Sequence, residues 1–214
     1  MKTHDYVTLV GLLDRVSYHE VGHYFCLESL VRAGKRCEAI MTLRKSFDAK
    51  GVARFEGSIH VDRDLDKSLN KSQRAMVAMG GPLASARILT GDTKQLGEEI
   101  FARAHASQSI MQQSRSTIKM LDGNPLQLGD WENDCKIIGE SEKREFSTLF
   151  AEADAIINDQ WETVKEIVES VKLVYEQLKQ QSSTFEVHSK SRKLRLPLKL
   201  EVWTKGNHTF ASTQ

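Results

Sequence analysis

The stretch VSYHEVGHYF, residues 16–25, sets His19 and His23 four positions apart, with Glu20 directly after the first. On an α-helix, positions i and i+4 share a face with Cβ atoms about 5–6 Å apart. Two imidazoles so placed converge on one ion at the roughly 2.0–2.1 Å of a Zn–N bond. Glu20 projects to the side of that pair, where its carboxylate reaches a water beside the ion without ligating the ion. Two nitrogen ligands, a base and an open coordination position are the requirements of a hydrolytic zinc site. The cofactor this pattern implies is Zn2+. A third ligand, usually His, Glu or Asp, has to come from elsewhere. His60, His105, Glu98, Glu99, Asp130 and Asp134 all qualify by type. The intervals HExxHxxGxxH and HxxEH are absent, which excludes the metzincin and inverzincin classes.

The element carrying the motif reads as a helix ending near Gly34, with an apolar stripe at Val7, Leu12, Val16, Leu27, Leu30 and Val31 that takes in both histidines. Strand-like text follows in CEAIMTL (37–43), a turn at DAKG (48–51), and VARFEGSIHV (52–61). In the last of these Phe55, Gly57, Ile59 and Val61 alternate with Arg54, Glu56, Ser58 and His60, the period-2 pattern of a half-buried strand. DRDLDKSLNKS reads as a charged loop. QRAMVAMGGPLASARILTG reads as a helix turning Met76, Val77, Met79, Leu83 and Ile88 inward, with Gly80 and Gly81 at its middle for close helix packing. A further helix is expected over 96–121 and a loop over DGNPLQLGD (122–130). Asp130 is the natural N-cap of a short helix beginning in WENDCKIIG. From 143 to about 180 the apolar positions keep helical spacing, as one long helix or two consecutive ones, for the core or a subunit contact. The fold class expected is therefore α+β, mainly α-helical: a zinc helix and a small sheet packed on a C-terminal helical bundle. One domain spans 1–180, and 181–214 is an extended basic tail.

Composition narrows the function classes. The 214 residues carry a formal net charge of +1, which gives no global electrostatic case for nucleic acid or an anionic membrane. The basic residues of the 188–199 stretch lack the interleaved aromatics of a single-strand binder. No apolar run reaches the ~18 residues of a membrane span, and the N-terminal residues lack the features of a secretory signal. The three cysteines, Cys26, Cys37 and Cys135, form no CxxC pair and suit a reducing cytoplasm. Cys26 reads as a buried free thiol. No G-x-x-x-x-G-K-[ST] loop is present, so no nucleotide engine is expected.

Three segments together resemble the FtsH-type zinc peptidase family, peptidase M41. YHEVGHYF is similar to its zinc helix, YHEAGHAL; VAMGGPLASARILTG is similar to its LLGGRAAEELVFG helix. LGDWENDCKI resembles the GASNDLEQATRI segment that supplies the family's aspartate ligand. The likeness covers about residues 10–175. It implies zinc held by His19, His23 and Asp130, with Glu99 as second choice for the third ligand because a gapless alignment places it there. Glu20 would be the general base. Pro82 and Ser85 stand where the family has Arg and Glu, and the family's ATPase module and membrane segments have no counterpart.

The function this implies is a cytoplasmic zinc metalloendopeptidase, a stand-alone relative of the peptidase domain. It would hydrolyse peptides, unfolded chains, or polypeptides delivered by a separate ATPase or a homo-oligomer. An extended substrate is expected to add to the edge of the 52–61 strand. Two other readings stand beside it. One is a catalytically inactive, zinc-stabilised interaction protein; the other is a nucleic-acid or membrane-surface adaptor acting through the 188–199 tail.

Overall fold

The computed structural model describes residues 4–11, 13–31, 39–47, 53–61, 63–89, 93, 118–119, 125–126, 132–139, 145–178, 183–187 and 198–204. Its first element is a strand, β1 (His4–Gly11), and the helix with both histidines, α1, begins only afterwards, at Leu13–Leu30. The stripe drawn from Val7 therefore fuses two elements. Tyr6, Val7, Thr8 and Val10 are strand formers by shape, and β1 pairs on either side of a register shift between Tyr6 and Leu9.

Two long strands follow, β2 (Ala39–Phe47) and β3 (Ala53–Val61), paired antiparallel from Ala39↔Val61 to Phe47↔Ala53. Phe55, Gly57, Ile59 and Val61 are buried while Glu56, Ser58 and His60 are half-buried, as the alternation requires. The 63–68 segment, expected as loop, is a short helix, α2 (Arg63–Ser68). Helix α3 (Lys71–Leu89) opens on a reciprocal capping box: Gln73 N donates to Asn70 Oδ1 at 2.9 Å and Asn70 N to Gln73 Oε1 at 3.0 Å. It runs on through Pro82 despite the helical hydrogen bond a proline removes. Met76, Val77, Met79, Leu83 and Ala84 are all buried along it, and tertiary packing outweighs the local penalty.

Of the helix expected over 96–121, Ile118–Lys119 is instead a short strand, β4, paired with β5 (Pro125–Leu126); the rest lies outside the described residues. Helix α4 follows at Glu132–Gly139. The long apolar stretch divides into α5 (Phe146–Asp159) and α6 (Trp161–Leu178), joined at Gln160. Val164 N donates to Gln160 O at 2.8 Å, so the second helix starts on the residue that ends the first. Phe146, Leu149, Ala153, Ile157, Val164, Ile167, Val168, Val171 and Tyr175 are buried, so this stripe is core.

The segment set apart as a tail enters the main sheet. β6 (Ser183–Val187) pairs antiparallel with β7 (Leu198–Thr204), and β7 lies parallel to β2 from Ala39↔Leu198 to Lys45↔Thr204. A domain boundary at 180 would cut through one sheet. The strand order is β1-β3-β2-β7-β6. Both edges of β3 are therefore occupied, and the expectation that a substrate adds to the 52–61 strand is overturned. The α+β, mainly helical class holds, with a larger sheet than local pattern suggested.

Helix α1 lies between this sheet and the other helices, against β3 on one side and α3, α5 and α6 on others. Val21, Tyr24, Phe25, Cys26 and Leu27 are fully or almost fully buried alongside Val16. A helix covered this way is apolar around most of its circumference, and whatever polar groups it carries are carried into the core. The crossing of α1 on α3 is set by two glycines. A Cβ on Gly22 would overlap Gly80 O and lie 2.7 Å from Ala84 Cβ, and a Cβ on Gly80 would overlap Gly22 O. Overpacking such a contact typically costs about 1–3 kcal/mol. Gly22→Ala is expected at or above the upper end of that range, because backbone has to move; chemical denaturation of the two proteins measures it.

Candidate metal centre

Helix geometry delivers His19, Glu20 and His23 from α1, and all three are fully buried. Their ring centroids place the two imidazoles 4.7 Å apart and nearly perpendicular, at 87°. Asp134, in the first turn of α4, meets them. Its Oδ2 is 3.4 Å from His19 Nε2 and 3.6 Å from His23 Nε2, and Asp134 is likewise fully buried. One ligand atom from each residue lies within 4.8 Å of the others. A tetrahedral ion with bonds of about 2.0–2.1 Å has ligand–ligand edges of roughly 3.3–3.4 Å. The carboxylate-to-imidazole separations match that edge closely.

Among the described residues the carboxylate that meets the two histidines is that of Asp134, one of the six candidates by type. Asp130 and Glu99 lie outside the described residues, as do Glu98 and His105. Asp134 lies inside α4, which starts at Glu132. His60 faces away from Gly57 along β3; its Nε2 is 2.8 Å from Ser58 Oγ, and it is not in the cluster.

Helix α3 backs both imidazoles through Val77, Gly81 and Ser85, successive i+4 positions. His23 Nδ1 is 2.8 Å from Val77 O. A carbonyl only accepts, so Nδ1 carries the proton and the Nε2 lone pair faces Asp134. His19 Nδ1 is 3.2 Å from Ser85 Oγ. Between these contacts, a Cβ added to Gly81 would overlap His23 Nε2 and stand 2.8 Å from His19 Nε2. Glycine leaves open the space that the two nitrogens face. On the opposite side of α1, a Cβ on Gly57 of β3 would lie 2.7 Å from Glu20 Cγ and 2.9 Å from Oε1. Sequence pattern alone identified none of these supporting groups; their signal was a serine and a glycine on the buried stripe of α3.

Burial dominates the electrostatics. It pushes the His19 imidazole well below its usual pKa, with His23 and Arg15 adding to the effect. It takes His23 down to about 4, against the opposing bond to Val77. It raises Asp134 well above the usual carboxylate range, and Glu20 too, where the charge of Asp134 adds. Cys26 is a buried thiol pushed up to about 12 by burial, chemically quiet in the way its position suggested.

The donor set fits a divalent cation. His19 Nε2, both oxygens of Glu20 and both of Asp134 have no hydrogen-bond partner among the described residues. Buried polar atoms left so are rare in folded proteins, and a cation on the imidazoles and Asp134 supplies the missing interaction. Two histidines and one carboxylate, with a position left over, is the ligand class of catalytic zinc sites.

Metal binding then has to displace protons. Without the ion, burial holds the Asp134 carboxyl well above its usual range, and the ion needs the carboxylate, so zinc uptake should release protons and tighten as pH rises. Calorimetric titration in two buffers of different ionisation enthalpy measures the number. No helix among the described residues is long and apolar enough to cross a membrane. Comparison of the chain with protein-family models, with curated proteins and with solved structures finds no match.

Proposed function

We propose that this protein is a zinc metallopeptidase, with His19, His23 and Asp134 holding the ion and Glu20 as general base. The observation that carries the reading is the meeting of an i, i+4 histidine pair with a remote buried carboxylate; Glu20 is buried on the same helix but outside that group of three. Zinc, when bound in such a site, supplies Lewis acidity that brings the pKa of a water to about 7. Glu20 accepts a proton from the attacking water and returns it to the leaving amine. The carbonyl of Val77 fixes which nitrogen of His23 carries hydrogen, and Gly81 and Gly57 keep space around the two histidines and Glu20. The M41 resemblance supports the same ligand order, two histidines and then a distant aspartate, with the aspartate now one turn further along.

The substrates that suit a chain with no nucleotide-binding loop are peptides and unfolded polypeptides. The direct test incubates the zinc-loaded protein with an unfolded polypeptide. Cleavage is expected, lost on chelation and restored by zinc. A second reading is favoured by one observation: His19, Glu20, His23 and Asp134 are all fully buried. An enclosed centre of this kind suits a zinc-stabilised interaction protein, in which the ion raises thermal stability and no cleavage follows.

A further inference from the structure

The two histidines are held from behind by chemically different groups on the same stripe of α3. Val77 O faces His23 Nδ1 at 2.8 Å, whereas Ser85 Oγ faces His19 Nδ1 at 3.2 Å. A carbonyl accepts only, so it admits one tautomer of His23. A hydroxyl can accept or donate, so it admits both tautomers of His19. Only the tautomer with hydrogen on Nδ1 leaves the Nε2 lone pair turned toward Asp134 Oδ2, 3.4 Å away. Ser85 is itself almost fully buried, which leaves water no easy route to replace it.

We propose that Ser85 is a positioning residue of the metal centre, whose hydroxyl accepts the Nδ1–H of the ligating His19 tautomer and thereby supports that tautomer and the ion affinity. This rests on the metal-centre reading above. Because the hydroxyl permits either tautomer, Ser85 is the adjustable contact of the pair and Val77 the fixed one. Groups bonded to the far nitrogen of a ligating histidine commonly govern metal affinity by 10–100-fold.

The test uses the full chain and Zn2+ as the probe, titrated against a competing chelator, with melting temperature recorded on the metal-free proteins. Ser85→Ala is expected to weaken zinc binding by about 10–100-fold, while Ser85→Thr, which keeps the hydroxyl, binds close to wild type. Should Ser85→Ala fail to fold, Ser85→Cys keeps the volume with a poorer acceptor and has to show weakened binding. Imidazole nitrogen NMR supplies a readout that packing alone would not move. Zinc-loaded wild type should show a protonated, hydrogen-bonded His19 Nδ1, perturbed in Ser85→Ala and retained in Ser85→Thr. Equal zinc affinity in wild type and Ser85→Ala, or a fall in melting temperature with no change in affinity, overturns the role of Ser85 and leaves the metal centre standing. Failure of wild type itself to bind zinc overturns the metal centre, and this proposal with it.

Discussion

Glu20→Gln is expected to bind zinc as wild type does, keep its fold, and lose peptide cleavage by a factor of about 10²–10⁴. Glutamine matches glutamate in shape, so the fit of the side chain beside Gly57 is retained. What it removes is the capacity to take and return a proton. The same substitution has an effect on stability that requires no substrate. Burial, and then Asp134, holds the Glu20 carboxyl well above its ordinary value of 4.5 in the folded metal-free protein. Between that value and the raised folded one, the unfolded chain has released the proton while the folded chain keeps it. Folding stability therefore falls as pH rises through this window, by up to about 1.4 kcal/mol per pH unit. Glutamine does not titrate. Metal-free Glu20→Gln should be more stable than wild type at neutral pH, with the gain fading as pH falls toward 4.5. Denaturation curves at several pH values, beside a cleavage assay on the zinc-loaded proteins, measure both effects. Retained cleavage would remove Glu20 from the role of base.

The parts of the fold legible in sequence were those where one local period decides. The alternation of Phe55, Gly57, Ile59 and Val61 gave β3 and its buried face. The spacing of His19 and His23 gave the shared helical face, and the i+4 apolar stripe from Phe146 onward gave α5 and α6. Long-range pairing was not legible. Nothing local in Leu198–Thr204 says that it lies parallel to β2, which is more than 150 positions earlier. Nor does β3 announce that β1 and β2 occupy both its edges. In β1, Val7 continues the helical stripe of α1 by position, while Tyr6, Val7, Thr8 and Val10 favour strand by type.

The site divides the same way. Both histidines and Glu20 sit on one element, so their relation is fixed by helix geometry. The acid belongs to a second element, and its identity depends on how α4 docks. Asp130 and Asp134 differ by one turn, a spacing that helical periodicity treats as equivalent. Ser85 marked a departure from the M41 pattern by type, yet it is in contact with His19.

Asp134→Asn is expected to cost the protein its zinc. Structural zinc sites bind with about 10–16 kcal/mol in all. One ligand of four then represents roughly 3–4 kcal/mol, or a loss of about 10²–10³-fold in affinity. The loss should come without unfolding. Burial disfavours the charged form of Asp134 in the metal-free protein, and asparagine is an uncharged group of the same size. The variant also escapes the cost that burial places on the Asp134 charge, so metal-free Asp134→Asn should melt no lower than wild type. Zinc-loaded wild type, by contrast, gains stability from the ion that the variant cannot gain. Metal analysis after dialysis, competitive titration and paired melting curves with and without zinc separate these outcomes. Asp130→Asn and Glu99→Gln serve as controls and are expected to hold zinc as wild type does. Zinc retained by Asp134→Asn but lost in either control would return the ligand to the acid that the M41 alignment preferred and displace the buried cluster as the metal centre.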